Sequence, residues 1–346
     1  MGAVAVPRLY TFLLIPALFA ATVLAACGDS GGDDDGGWSA EEISESQEEV
    51  LAQQVGSQLG LGPARVAFGV LVPDPKDPQS TLLVHDATVH ATFYKLDGEQ
   101  GTPAGEYDLT PVVLRENTKH LHGDGSNHLH DDPLATVYVT NLKFDKTEWW
   151  GADLSITIQG KEHDGVKVRF FVSEKTTEPG IGDPVPPITQ LTNRDVADVA
   201  MIDSSTPPRP EMHELTVAEA VKNGKPSVIA FATPAFCQTR FCGPVVDAVV
   251  APLQAKYGAR VNFLHIEPYK LDEARKGRLI PIPEMTQWGL ASEPWVFVLD
   301  ASGNVAAKYE GIMSQEEVEP VLQRVLSGQA AALGERPLID AQVSAR

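Results

Sequence analysis

Basic residues are scarce in this chain. Lys and Arg number 27 against 47 Asp and Glu, a formal net charge of −20. Such a surface repels polyphosphate, which argues against nucleic acid as a partner. Long apolar runs are also lacking. Only one is long enough to matter for a membrane, and it lies at the extreme N-terminus, so a multi-span membrane protein is excluded. Cysteine is the third scarcity, with three residues: Cys27, Cys237 and Cys242. Apolar composition is not lacking. Hydrophobic residues make up 43% and charged residues 21%, ordinary for a globular protein and too apolar for wholesale disorder.

Residues 1–26 have the plan of an export signal. Arg8 supplies the positive n-region, and residues 9–21 form a short apolar h-region followed by small residues. The motif Leu24-Ala25-Ala26-Cys27 resembles the lipobox of bacterial lipoproteins. That resemblance implies a lipidated Cys27 as the mature N-terminus, and a protein anchored in the cell envelope, at the outer face of the cytoplasmic membrane or in the periplasm. Residues 28–37 are Gly- and Asp-rich and bury no apolar surface, so residues 27–60 are expected to form a flexible acidic tether.

Removing the signal leaves 320 residues, which at ~100–200 residues per domain suggests two domains. Residues 61–177 alternate in the β manner, with candidate strands at 65–72, 87–94, 111–114, 135–142, 154–158 and 166–172. Asp97-Gly98, Asp124-Gly125 and Asp164-Gly165 are the turn signals between them. This pattern predicts an all-β, immunoglobulin-like sandwich. Residues 178–190, rich in Pro and Gly, are expected to be the linker.

Residues 191–330 have a different rhythm. Thr216-Val217-Ala218-Glu219 is a capping-box pattern. Residues 226–232, 261–266 and 295–299 are continuous apolar runs expected as buried strands, and 305–309 follows as a hairpin partner. Residues 245–257 and 315–326 have helical periodicity. A tail, 331–346, closes the chain.

Within this part, residues 228–244 (VIAFATPAFCQTRFCGP) look like the strand, active-site loop and helix of thioredoxin-like proteins. Residues 288–303 (WGLASEPWVFVLDASG) look like their cis-proline segment and hairpin. The resemblance implies an α/β thioredoxin-like domain and a cis peptide bond before Pro294. The whole chain is similar to bacterial lipoproteins that join a small β-sandwich to such a domain.

If Cys27 carries lipid, Cys237 and Cys242 remain as a C-x4-C pair that is free to oxidise outside the cytoplasm. A disulfide between them closes a tiny loop and adds little stability through chain entropy, which points to redox or metal chemistry. In the family, a thiolate at a helix N-terminus attacks a substrate disulfide and a second thiol resolves the mixed disulfide. The family spacing is C-x-x-C, so two registers are open here. Counting from the strand end makes Cys237 the nucleophile and Cys242 the resolving thiol, with Pro244 as a kink inside the helix. Matching Cys-Gly-Pro makes Cys242 the nucleophile and puts Val245 at the second position. The first is preferred. The buried acid of many thioredoxins aligns near Ala230, and Glu267 is the nearby alternative, read as an exposed loop carboxylate. A peroxiredoxin reading fails on the order of Thr233 and Pro234.

Four of the nine histidines lie between 120 and 130: His120, His122, His128 and His130. A hairpin turning at residues 123–127 would oppose His122 to His128 and His120 to His130, with all four on one face. Imidazoles so placed suit Cu or Zn, with Asp131 and Asp132 as outer partners. His85, His90, His163 and His213 are expected at the surface, and His265 in the core.

The leading expectation is a membrane-tethered thiol–disulfide oxidoreductase acting on extracytoplasmic protein thiols and disulfides, with no cofactor needed for the redox step. A copper-handling protein like the Sco-like chaperones is the alternative. Those complete their site with a late histidine, and here a third ligand must come from His213, His265 or the hairpin. A non-catalytic binding module is the third reading.

Overall fold

The computed structural model describes residues 38–39, 49–98, 100–116, 118–121, 127–130 and 133–328. The signal, Cys27, His122, Asp131, Asp132 and the tail 331–346 lie outside the described residues. Among the described residues no helix is long and apolar enough to cross a membrane.

The first region is sheet. Its early strands are β1 (Trp38–Ser39), β2 (Leu51–Val55), β3 (Leu59–Gly60), β4 (Gly62–Asp74), β5 (Asp77–Leu83) and β6 (Thr88–Asp97). Then come β7 (Gln100–Arg115), the short β8 (Thr118–Leu121) and β9 (Asn127–His130), β10 (Pro133–Phe144), β11 (Glu148–Ile158) and β12 (Lys161–Ser173). All six candidate strands are present, each longer than expected. The expected tether is overturned at its C-terminal end: β2 pairs antiparallel with β4, and β3 pairs with β12.

The strands pair in two groups that meet at β7: β2, β4, β5 and β10 with its C-terminal part, and β1, β6, β11, β12 and β3 on the side of its N-terminal part. One ten-stranded sheet runs β2-β4-β10-β7-β6-β11-β12-β3, with β1 on β7 and β5 on β4. The cause is β7, whose residues 100–109 pair with β6 while residues 110–115 pair with β10. A strand continuous through both halves keeps them in one hydrogen-bonded sheet. The sheet wraps a core of Phe68, Phe93, Tyr138, Phe144, Leu154 and Phe170. Asp164-Gly165 is not a turn. The turn falls at Gln159–Gly160, and Gly165, at φ 71°, sits in a bulge where the β11–β12 register shifts.

In the second region, β13 (Ser227–Phe231), β14 (Asn262–Ile266), β15 (Trp295–Leu299) and β16 (Val305–Glu310) form a sheet ordered β14-β13-β15-β16. β13 and β14 are parallel, and the other pairs are antiparallel. This is the strand order that the sequence resemblance implies. Helix α1 (Val217–Ala220) opens on the expected capping box of Thr216 and Glu219. Helix α2 (residues 242–257) is α-helical over Cys242–Val245, π-helical over Val246–Val250 and α-helical again over Ala251–Tyr257. The π turn abuts Pro252, which has no N–H for the regular ladder. Short helices α3 (Leu271–Ala274) and α4 (Pro283–Gln287) follow, and α5 (Gln315–Leu326) closes the fold.

β13 explains its own apolar run. Val228 and Ala230 enter a core with Val249 and Leu253 of α2 and Val318, Val321, Leu322 and Val325 of α5. Ile229 and Phe231 enter another with Trp288 and Phe297. Both faces are covered, as for a central strand of an α/β layer.

The two regions share a core. Ala135, Val137 and Val139 of β10, with Ala67, Val112 and Leu114, pack among the residues of α2 and α5, while Tyr138 and Phe144 of β10 face the sheet's own interior. At this seam the Arg65 Nε donates to Glu317 Oε1 at 2.6 Å, and its Nη2 donates to the Ile312 carbonyl at 2.9 Å. The expected linker is also fixed. Val185 and Ile188 are buried beside Trp288, whose indole N–H donates to the Pro186 carbonyl at 3.1 Å. Lys308 pairs with the buried Glu178 at 2.8 Å.

Candidate functional site: a thiol pair at a helix start

β13 ends at Phe231, and residues 232–241 carry the chain across its end to the first residue of α2, Cys242. The first N–H groups of a helix have no partner within it. That of Cys242 donates to Cys237 Sγ at 3.2 Å. The Thr239 hydroxyl lies 3.3 Å from the same sulfur.

These contacts make the two cysteines unequal. Cys237 is partly exposed, Cys242 is fully buried, and no disulfide joins them. Hydrogen bonding from the Cys242 thiol draws the Cys237 thiol down, burial opposes it, and Thr239 and the backbone N–H groups reinforce it, leaving Cys237 at about 5. Burial pushes the Cys242 thiol up, and the neighbouring Cys237 sulfur pushes it further. At neutral pH the pair is therefore one accessible thiolate and one buried neutral thiol.

Pro294 lies where the thioredoxin resemblance implies, and the Glu293–Pro294 bond is cis. The Glu293 side chain joins the thiols: its carboxylate oxygen and both sulfurs lie within 4.8 Å of one another. It accepts from the Gln238 N–H at 3.3 Å and from the Tyr269 hydroxyl at 2.8 Å. Burial raises its carboxyl, and the Tyr269 and Gln238 hydrogen bonds work against that. The sequence resemblance implied a cis bond before Pro294 but did not single out Glu293 as part of the site. Its position directly before the cis-proline was the available signal. Pro244 is no kink. It lies in the first turn of α2, where an N–H is not needed.

Three sequence expectations about other polar residues fail. Glu267 is buried, not an exposed loop carboxylate, because the chain stays under cover after β14 through Tyr269. Its Oε1 accepts from the Ser204 N–H at 2.7 Å, and desolvation raises its carboxyl. His213 is buried against Asp203 at 3.2 Å. His163 is buried with its Nδ1 3.4 Å from Glu49. His90 does sit at the surface, 2.8 Å from Asp108, and His85 is half-buried against Thr136. His265 is a core residue as expected, and its Nε2 contacts the Ala232 carbonyl at 2.9 Å.

The histidine hairpin forms in a different register. β8 and β9 oppose His120 to His128 and Thr118 to His130. The pairing is two residues out from the expected one. Among the described residues, the thiols cluster with Glu293 and the buried histidines cluster with Asp203, and no imidazole joins the sulfurs.

No family model and no curated protein matches the chain. Among solved structures it is similar to a thiol:disulfide interchange protein of the thioredoxin family from Chlorobium tepidum TLS. The identity is 20%, over 41% of this chain and 95% of that one, with a TM-score of 0.26.

Proposed function

We propose that the protein is a thiol–disulfide oxidoreductase of the cell envelope, tethered through a lipidated Cys27, with Cys237 as nucleophile and Cys242 as resolving thiol. The observation that carries the reading is the hydrogen bond from the α2 N-terminal N–H to Cys237 Sγ, beside a buried neutral partner.

The Cys237 thiolate attacks one sulfur of a substrate disulfide. A bond forms between Cys237 and that sulfur, the substrate S–S bond breaks, and the second substrate sulfur leaves as a thiolate that takes a proton. Cys242 then gives up its proton, with the Glu293 carboxylate as acceptor, and attacks Cys237 Sγ. The Cys237–Cys242 disulfide forms and the remaining substrate thiol leaves. The substrate gains two electrons and the pair loses two. The reverse sequence oxidises a substrate dithiol.

Cys237→Ser should reduce turnover of a model disulfide to background. Cys242→Ser should instead accumulate mixed disulfides on Cys237. If Cys242→Ser alone removes thiolate reactivity, the register is wrong. If neither variant matters, the oxidoreductase reading fails. Cys27→Ser should release the protein from the membrane fraction, and unchanged retention would count against the tether.

Metal handling by the hairpin is a second reading. It rests on the register that opposes His120 to His128, with His130 two positions along, and suits Cu or Zn.

A further inference from the structure

A second polar cluster lies behind the thiol loop. Asp203, His213 and His265 are all buried, and one ligand atom from each lies within 4.8 Å of the other two. Asp203 and His265 are held from outside the cluster, while the His213 ring meets Asp203. Asp203 accepts from the Ser205 N–H at 2.8 Å and the Arg209 N–H at 2.7 Å. His265 Nε2 meets the Ala232 carbonyl at 2.9 Å. A carbonyl only accepts, so Nε2 carries a hydrogen, and Nδ1 presents a lone pair in the neutral ring or a second N–H in the imidazolium. That Nδ1 has no hydrogen-bond partner, and it faces Asp203 Oδ1 at 3.4 Å.

A lone pair set against a carboxylate oxygen inside a protein is repulsive unless a positive charge lies between them. The spacing suits an ion. Around a tetrahedral centre with bonds of about 2.0–2.2 Å, ligand atoms lie roughly 3.2–3.5 Å apart. Asp203 meets the two imidazoles through different oxygens, Oδ2 at 3.2 Å from His213 Nε2 and Oδ1 at 3.4 Å from His265 Nδ1, and one ligand atom of each residue lies within 4.8 Å of the other two. The outer hydrogen bonds are those that orient metal ligands elsewhere. A cavity of about 440 Å³, lined by His213, His265, Glu267, Leu191, Met201 and Ile202, reaches the cluster and supplies a path and room for water.

We propose that Asp203, His213 and His265 form a divalent-cation site of the Zn(II) type, with water from the cavity as a further ligand. Two imidazoles and one carboxylate with an open position are a normal first shell for this ion. The ion would clip residues 203–213 to β14. The same stretch already touches the thiol loop, because the Ala235 N–H donates to Ser204 Oγ at 3.1 Å. The site is separate from the hairpin and from the thiols, and it does not depend on the redox reading.

The test uses the full chain with His120, His122, His128 and His130 changed to Ala, and Cys237 and Cys242 changed to Ser. Zn(II) calorimetry should give one site per chain. Co(II) should give tetrahedral d–d absorption without a thiolate charge-transfer band. His213→Gln or Asp203→Asn in this background should weaken Zn(II) by at least ~10–100-fold. Zn(II) should also raise the unfolding midpoint of the background protein, a readout that needs no ligand variant to fold. Absence of binding at micromolar protein, an unmoved midpoint, or affinity unchanged by His213→Gln and His265→Gln would overturn the proposal and leave a proton between His265 and Asp203.

Discussion

The two regions of the molecule bury different kinds of residue. Up to Ser173 the buried polar residues among those described are Thr136, Thr140 and His163. From Glu178 onward there are thirteen, including Asp203, His213, Thr233, His265, Glu267 and Glu293. Burying such groups is costly unless each finds a partner, so a fold that accumulates them in one place is holding chemistry there. Thr233 and Glu267 follow the C-terminal ends of β13 and β14, and Asp203 and His213 meet His265 there, where ligands commonly meet open α/β sheets. The first region is instead a wrapped apolar sheet, and its contribution is packing: it lends one face of β10 to the core beneath α2 and α5.

This contrast is open to attack at its strongest seam. Arg65→Ala leaves the part-buried Glu317 without its guanidinium, which should cost about 1–3 kcal/mol. Urea unfolding should show that loss in one transition covering both regions. Two separated transitions would mean that the regions are independent bodies.

A smaller effect sharpens the division of labour. Ile156 is fully buried in the core of the first sheet, so Ile156→Val should cost about 0.5–1.5 kcal/mol in stability. The alkylation rate of Cys237 should not change. A shift in that rate would show that the sheet region tunes the site as well as supporting it.

The smallest effect expected is inside the site. Thr239→Val removes one hydrogen bond to Cys237 Sγ and keeps the shape of the side chain. The thiolate midpoint should rise by less than about one pH unit, because the Cys242 contacts remain. A return to the range of a free thiol would make Thr239, not the helix start, the chief stabiliser.

Much of this architecture was legible before any coordinates. β4, β6, the C-terminal part of β7, β10, β11 and β12 announce themselves by alternation, and β13 and β15 by runs that are apolar on both faces. β5 and the first half of β7 were not legible, since Asp77–Leu83 and residues 100–109 are too polar to carry an alternating signal. At the site, the two cysteines and Pro294 were readable as spaced motifs. Asp203 and His213 were not. They lie among turns and single 3-10 turns, where no periodicity tells an inward side chain from an outward one. The depth of Glu267 was hidden likewise, because burial after β14 follows from the path of residues 267–271 and not from any repeat.

The inequality of the two thiols is the central claim, and the pH dependence of alkylation tests it directly. The folded Cys237 thiol is held at about 5, so thiolate is present above that pH. The sign for stability agrees. A lowered folded value means that the reduced protein gains stability relative to Cys237→Ser as pH rises from about 5 toward the unfolded thiol value of ~8.5, and loses it as pH falls back through 5. The reduced protein should react with iodoacetamide at Cys237 alone, with a rate that rises through a midpoint near 5 and is level by neutral pH. A midpoint near the ~8.5 of a free thiol, or modification of Cys242 first, would contradict the account.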